Sequence, residues 1–158
     1  MPVLVPAVLP CGDCEFCNAG RANACPRQKM PGNDLHGGFA SHFLTPGRFL
    51  CEVPEGVSDV ENLSVVADAV GTSYQAVERA GVGEGDLVIV VGVGGVGVFA
   101  AQTAKIRNAK VVGIDVDDER LETVSDYLDL ALNAREMDTK EIRKAVRAFE
   151  KEGGIPPH

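Results

Sequence analysis

From Asp86 the chain reads DLVIVVGVGGVG, an apolar run of strand length that passes directly into G-x-G-x-x-G. Few arrangements accommodate both. Five residues, Leu87 to Val91, without a polar break suit a strand buried on both faces of a parallel sheet. Glycines at 92, 94 and 97 then suit the tight turn from such a strand into a helix. In that setting Gly92 permits the turn, Gly94 lets backbone approach a diphosphate, and Gly97 lets helix and strand pack closely. Gly95 adds a further position without a side chain. The first N–H groups and the positive end of the helix attract phosphate. An acidic residue is expected at the end of the next strand. Asp115, in VVGIDVDDER, lies 18 residues after Gly97 (115 − 97) and fits. Its carboxylate would accept both ribose hydroxyls of NAD and repel the extra phosphate of NADP. Arg120 is placed to lie over the adenosine ribose.

The surrounding pattern agrees. Residues 95 to 107 read as a helix, KVVGID as a strand, DDERLETVSDYL as a helix and DLALN as a weaker strand. TKEIRKAVRAFEKE reads as an amphipathic helix with an outer charged face. This alternation predicts an α/β chain, the opening half of a doubly wound parallel sheet. Before it, residues 1–9, GGFASHFLTP and RFLCEVP read as β segments, and VENLSVVADAV with GTSYQAVERAG as helical. The boundary between the β-rich part and the α/β part falls near residue 55, giving regions 1–55 and 56–158. The direct opening into a strand, and the closing GGIPPH that breaks the alternation, read as a piece of a longer protein.

Composition removes whole classes of partner. Fifteen Lys and Arg against 23 Asp and Glu leave a net charge of −8, which repels a phosphate backbone and argues against nucleic acid. No apolar run approaches the roughly 20 residues that cross a bilayer. MPVLVPAVLP lacks a basic leader and carries three prolines, so it does not read as a signal peptide. The expectation is a cytoplasmic chain whose thiols stay reduced.

Four of the five cysteines fall within CGDCEFCNAGRANAC, at 11, 14, 17 and 25. Close x₂ spacing lets a short loop wrap several thiolates around one ion, and four thiolates close the tetrahedron of a structural zinc. Two disulfides and an iron–sulfur cluster are the alternatives, though the common cluster spacings differ. Cys51 stands alone on a strand pattern and reads as a small buried hydrophobe. His36 and His42, six apart on a presumed strand, would lie about 20 Å apart and could not share an ion. His158 carries no signal.

The Cys11/Cys14/Cys17/Cys25 loop, GGFASHFLTP, GVGGVG and VVGID occur in an order and spacing that resemble the zinc-containing medium-chain alcohol dehydrogenases. The resemblance implies the C-terminal part of a GroES-like β domain with a zinc lobe, followed by the first half of a Rossmann domain. It implies NAD, a structural zinc on the four cysteines, and a second, catalytic zinc in the complete enzyme. Asp68, in VVADAVGTSYQAV, matches the family's third catalytic-zinc ligand, and Thr72 matches a position beside the nicotinamide. The family's first two ligands would precede residue 1. The short chain alone would therefore be inactive. The implied partners are a small-molecule alcohol and, at full length, further copies of the chain. QKMPGNDLHGGFASH, SVVADAVGTSYQAV and LNAREM resemble more narrowly the 6-hydroxycyclohex-1-ene-1-carbonyl-CoA dehydrogenases of anaerobic aromatic degradation, which would make the substrate a CoA thioester. In that narrower group His36 would line the site; His42 reads as structural.

Overall fold

The structure, a computed structural model, describes residues 1–153. GIPPH, and with it His158, lies outside the described residues. The chain forms two compact units, Met1–Asp68 and Ala69–His158.

In the first unit, β1 (Val3–Leu4) pairs antiparallel with a strand that returns after a long excursion. The excursion begins with the cysteine lobe, which holds the short helix α1 (Glu15–Asn18). Leu9 and Lys29 close the lobe at its base: the Leu9 N–H donates to the Lys29 carbonyl at 2.8 Å, and the Lys29 N–H returns the bond at 2.9 Å. The returning strand is β2 (Cys51–Glu52), with Val3 opposite Glu52 and Leu4 opposite Cys51. A 3₁₀ segment, Glu61–Ala67, follows, and the Ala7 N–H donates to the Ala67 carbonyl at 3.3 Å. That bond ties Ala67 to the start of this unit.

Several β expectations fail here. Only Val3–Leu4 of residues 1–9 joins a ladder, and only Cys51–Glu52 of RFLCEVP does so. GGFASHFLTP forms no strand among the described residues. A strand exists only where a neighbour takes its backbone hydrogen bonds, and here Phe39 and Leu44 are instead fully exposed. Cys51 is exposed rather than buried. The stretch read as VENLSVVADAV is 3₁₀ up to Ala67 and becomes α-helical only from Ala69.

The second unit starts with α2 (Ala69–Arg79). The parallel sheet follows as β3 (Leu87–Val91), β4 (Lys110–Asp115) and β5 (Leu130–Asn133), in that spatial order. Leu87 pairs with Lys110 and Val112 with Leu130, so β4 is central. Helix α3 (Gly97–Ile106) makes the first crossover. The second contains α4 (Asp118–Thr123) and a 3₁₀ turn at Ser125–Tyr127, so the stretch read as one helix divides in two. The core gathers Val90, Val93, Ala101, Ala104, Ala109, Val111, Leu121 and Val124. Small alanines on α3 let that helix approach the valine-rich strands closely.

The strands differ in burial within this chain. Val111 and Val112 of β4 are both fully buried, so that strand is covered on its two faces. In β3, Val90 is buried, but Ile89 and Val91 point to the opposite face and are exposed. β3 lies at the edge of this three-stranded sheet.

The last helix, α5 (Thr139–Glu152), begins with a capping box formed by Asp138 and Glu141. The Asp138 carboxylate accepts the N–H groups of Lys140 at 2.7 Å and Glu141 at 2.8 Å, and Glu141 Oε2 accepts the Asp138 N–H at 2.8 Å. Among the described residues, no helix is long and apolar enough to cross a membrane.

Candidate functional site

Two constellations stand out, one in each unit. In the first, the Sγ atoms of Cys11, Cys14, Cys17 and Cys25 all lie within 4.8 Å of one another. Cys14 and Cys17 are 3.5 Å apart, Cys14 and Cys25 3.7 Å, and Cys11 and Cys17 3.9 Å. The thiols are free, which removes the disulfide alternative. Tetrahedral coordination with Zn–S bonds of about 2.3 Å requires sulfur–sulfur edges of about 3.8 Å. The observed edges bracket that value, so the four side chains fit a single tetrahedral ion. An iron–sulfur cluster, with several atoms between its ligands, would spread the sulfurs further.

Local backbone builds the lobe. Gly12 takes φ +82° and turns the chain between the first two cysteines. Arg48 reaches across to donate to the Cys11 carbonyl at 2.8 Å, while its guanidinium stacks over Phe49. Asp13 pairs with Arg27 on the lobe surface. The environment treats the thiols unequally. Desolvation pushes Cys17 up to about 11, and thiol contacts from its neighbours add to that. Cys25 is lowered, chiefly because the Cys11 N–H donates to its sulfur at 3.4 Å.

The second constellation is the turn between β3 and α3. Gly92 has φ +86°, a conformation costly to any side chain, and its N–H donates to the Ile114 carbonyl at 2.7 Å. A Cβ on Gly97 would lie 1.8 Å from the Gly92 carbonyl oxygen and 3.3 Å from Val90 Cγ1. No backbone could absorb that overlap. Gly94 and Gly95 look outward: a Cβ on Gly95 would meet nothing within 4 Å, and one on Gly94 only the Arg120 guanidinium at 3.9 Å. The N-cap of α3 is Val96, whose side chain cannot cap the first turn.

Asp115 ends β4 beside this turn. Its Oδ2 accepts the Val93 N–H at 2.9 Å, and its Oδ1 accepts the N–H groups of Val116 at 2.8 Å and Asp117 at 3.2 Å. Arg120 Nη1 lies 3.5 Å away. Burial alone would raise this carboxyl. The bonds from Val93 and Val116, the Arg120 charge and the Asp117 N–H together outweigh it and hold Asp115 below the usual carboxylate range. The glycine turn, Asp115 and Arg120 are thus brought together. Asp68 is the last residue of the first unit, and Thr72 stands in the first turn of α2 in the second.

One residue of this constellation gave no sequence signal. Ser73, 1% exposed, donates its hydroxyl to the Val96 carbonyl at 2.7 Å and also lies 2.8 Å from the Ala69 carbonyl. A serine inside a helix is unremarkable by pattern, because its partner is a backbone atom 23 residues away.

The histidines also differ from expectation. With no strand through this segment, His36 and His42 line one groove of about 480 Å³ with Leu35, Phe43, Leu44 and Pro46. The His42 Nδ1 lies 3.2 Å from Ser41 Oγ.

Comparison with known proteins agrees with this two-part construction. Residues 1–55 match the alcohol dehydrogenase GroES-like domain, and residues 68–150 belong to the family described as alanine dehydrogenase/PNT, C-terminal domain. The order of these two domains, with the four-sulfur lobe inside the first, decides the assignment. The chain belongs to the zinc-type medium-chain alcohol dehydrogenase family. An alcohol dehydrogenase of Geobacillus stearothermophilus is 33% identical over 129 residues, covering 81% of this chain and 38% of that protein. A sorbitol dehydrogenase of Halalkalibacterium halodurans is 32% identical over 135 residues, covering 84% and 39%. The crystal structure of the alcohol dehydrogenase from Aeropyrum pernix superposes with a TM-score of 0.83 at 32% identity, covering 92% of this chain and 44% of that one. This medium-chain dehydrogenase sequence therefore spans about two fifths of the length of the curated relatives it matches.

Proposed function

We propose that the protein, at the full length of its gene, oxidises a secondary alcohol to a ketone with NAD. The carrying observation is the β3–α3 turn, anchored by Asp115 and open at Gly94 and Gly95. NAD, when bound, supplies the hydride acceptor, and a catalytic zinc supplies a Lewis acid for the alcohol oxygen. Gly92, Gly94, Gly95 and Gly97 would receive the diphosphate, and Asp115 with Arg120 the adenosine ribose. Thr72 would stand beside the nicotinamide.

The two zinc roles stand differently. The four cysteines fit a structural ion and fill its coordination, leaving no position for substrate. A catalytic ion needs three protein ligands as a rule, and family resemblance assigns only Asp68 here. On this reading residues 1–55 form part of a GroES-like domain and 56–158 part of the NAD-binding domain, in a cytoplasmic protein that acts as a homo-oligomer.

For the substrate we favour a ring alcohol beside a CoA thioester, 6-hydroxycyclohex-1-ene-1-carbonyl-CoA, on the three segments QKMPGNDLHGGFASH, SVVADAVGTSYQAV and LNAREM. The sorbitol dehydrogenase relative supports a second reading, a polyol substrate. NADH formation by the full-length protein, followed at 340 nm with each substrate, separates them. Turnover of the CoA thioester and not of sorbitol is expected. The reverse preference establishes the polyol reading, and absence of NADH binding overturns both.

A further inference from the structure

We infer that Ser73 is a positioning residue for dinucleotide binding: its buried hydroxyl holds the Val96–Gly97 peptide at the tip of α3 in the orientation that receives a diphosphate. The inference rests on the NAD reading above. The turn between β3 and α3 is held at two points. At its start, the Val93 N–H is taken by Asp115 at 2.9 Å. At its end, the Val96 carbonyl accepts from Ser73 Oγ at 2.7 Å. Gly94 and Gly95 lie between, where an added Cβ would meet only the Arg120 guanidinium at Gly94 and nothing within 4 Å at Gly95.

A trans peptide sets its C=O and N–H in opposite directions. Fixing the Val96 carbonyl on Ser73 therefore turns the Gly97 N–H away from α2, toward the open end of α3. The Val96 carbonyl also accepts Phe99 N–H at 3.1 Å and Ala100 N–H at 3.2 Å, so the same atom joins the first turn of the helix. Ser73 has one hydroxyl proton and two carbonyls in reach, Val96 and Ala69 at 2.8 Å. The bond to Ala69 only replaces what helix serines commonly make within their own turn. The bond to Val96 is the one that crosses to the loop. At 1% exposure no water can substitute for it. Rigidity of this kind lowers what a ligand must spend on ordering the loop.

The test is titration of the full chain with NADH, ADP-ribose and adenosine, by calorimetry for the first two and by NMR for the nucleoside. Ser73→Ala is expected to weaken NADH and ADP-ribose about three- to tenfold and to leave adenosine, which has no diphosphate, unchanged. Ser73→Cys fills the same space with a poor donor and is expected to show the same selective loss, which keeps the test valid if the alanine variant does not fold. Equal losses for all three ligands mean a general structural role and overturn the inference, as does unchanged NADH affinity in the cysteine variant. Failure of the unaltered chain to bind NADH overturns the dinucleotide reading itself.

Discussion

Asp115 Oδ2 accepts the N–H of Val93 at 2.9 Å, so the end of the second parallel strand is fastened to the turn that leaves the first. The bond is buried, with Val93 1% exposed. Asp115→Ala would leave that N–H without its acceptor and is expected to cost about 1–3 kcal/mol of stability. Urea unfolding followed by circular dichroism measures it; a midpoint equal to that of the parent chain would show that the tie contributes nothing.

Gly97 and Gly95 separate packing from binding. Gly97→Ala places a methyl 1.8 Å from the Gly92 carbonyl oxygen, so helix and strand must part, at about 1–3 kcal/mol. At Gly95 an added methyl meets nothing within 4 Å, and melting is expected to move little. On the proposed NAD reading the Gly95→Ala methyl would project toward the diphosphate, so NADH affinity is expected to fall at least tenfold with the melting temperature retained. Unchanged affinity in Gly95→Ala would remove this glycine from the binding surface.

Metal removal acts on the first unit. Elemental analysis of the purified chain is expected to find about one zinc per chain, held by the four cysteines. A strong chelator, or Cys14→Ser, is expected to abolish that zinc and lower the melting temperature. NADH affinity is expected to survive, because the glycine turn and Asp115 belong to the other unit. Zinc content unaffected by Cys14→Ser would place the ion elsewhere.

Acid sensitivity has two named sources. Asp129 is lowered like Asp115: burial would raise it, but the Val111 N–H, the Lys105 bond and charge, and the Lys110 charge outweigh burial. Lys105 Nζ reaches both its oxygens, at 3.0 and 2.9 Å. A depressed carboxyl stabilises the fold above its unfolded value and loses that contribution as pH falls through the lowered folded value. The melting temperature is expected to hold steady on their account down to about pH 5 and to drop below about pH 4. Asp129→Asn should be less stable near neutrality and show a shallower acid limb. An acid limb identical to that of the parent would acquit Asp129.

Elements whose cause is local were legible in the sequence. The β3–α3 turn follows from Gly92, with its φ of +86°, and Gly97, where a Cβ would clash with backbone, and α5 from the amphipathic pattern of TKEIRKAVRAFEKE. The placement of Asp115 came from spacing, but its bond to Val93 did not, since a backbone donor carries no residue label. Ser73 stayed invisible for the same reason. The β reading of GGFASHFLTP failed because alternation describes a segment's readiness to pair and not the presence of a neighbour to pair with.

The paired bonds between Leu9 and Lys29 have a consequence for how such a chain can change. Apart from the Arg48 bond to the Cys11 carbonyl, everything between them is, in topological terms, an appendage on a closed stem. An insertion, deletion or wholesale graft there leaves the two stem residues already facing each other, with the register of Val3 on Glu52 undisturbed. The sulfur lobe is a module that can be exchanged without redrawing the rest of its unit.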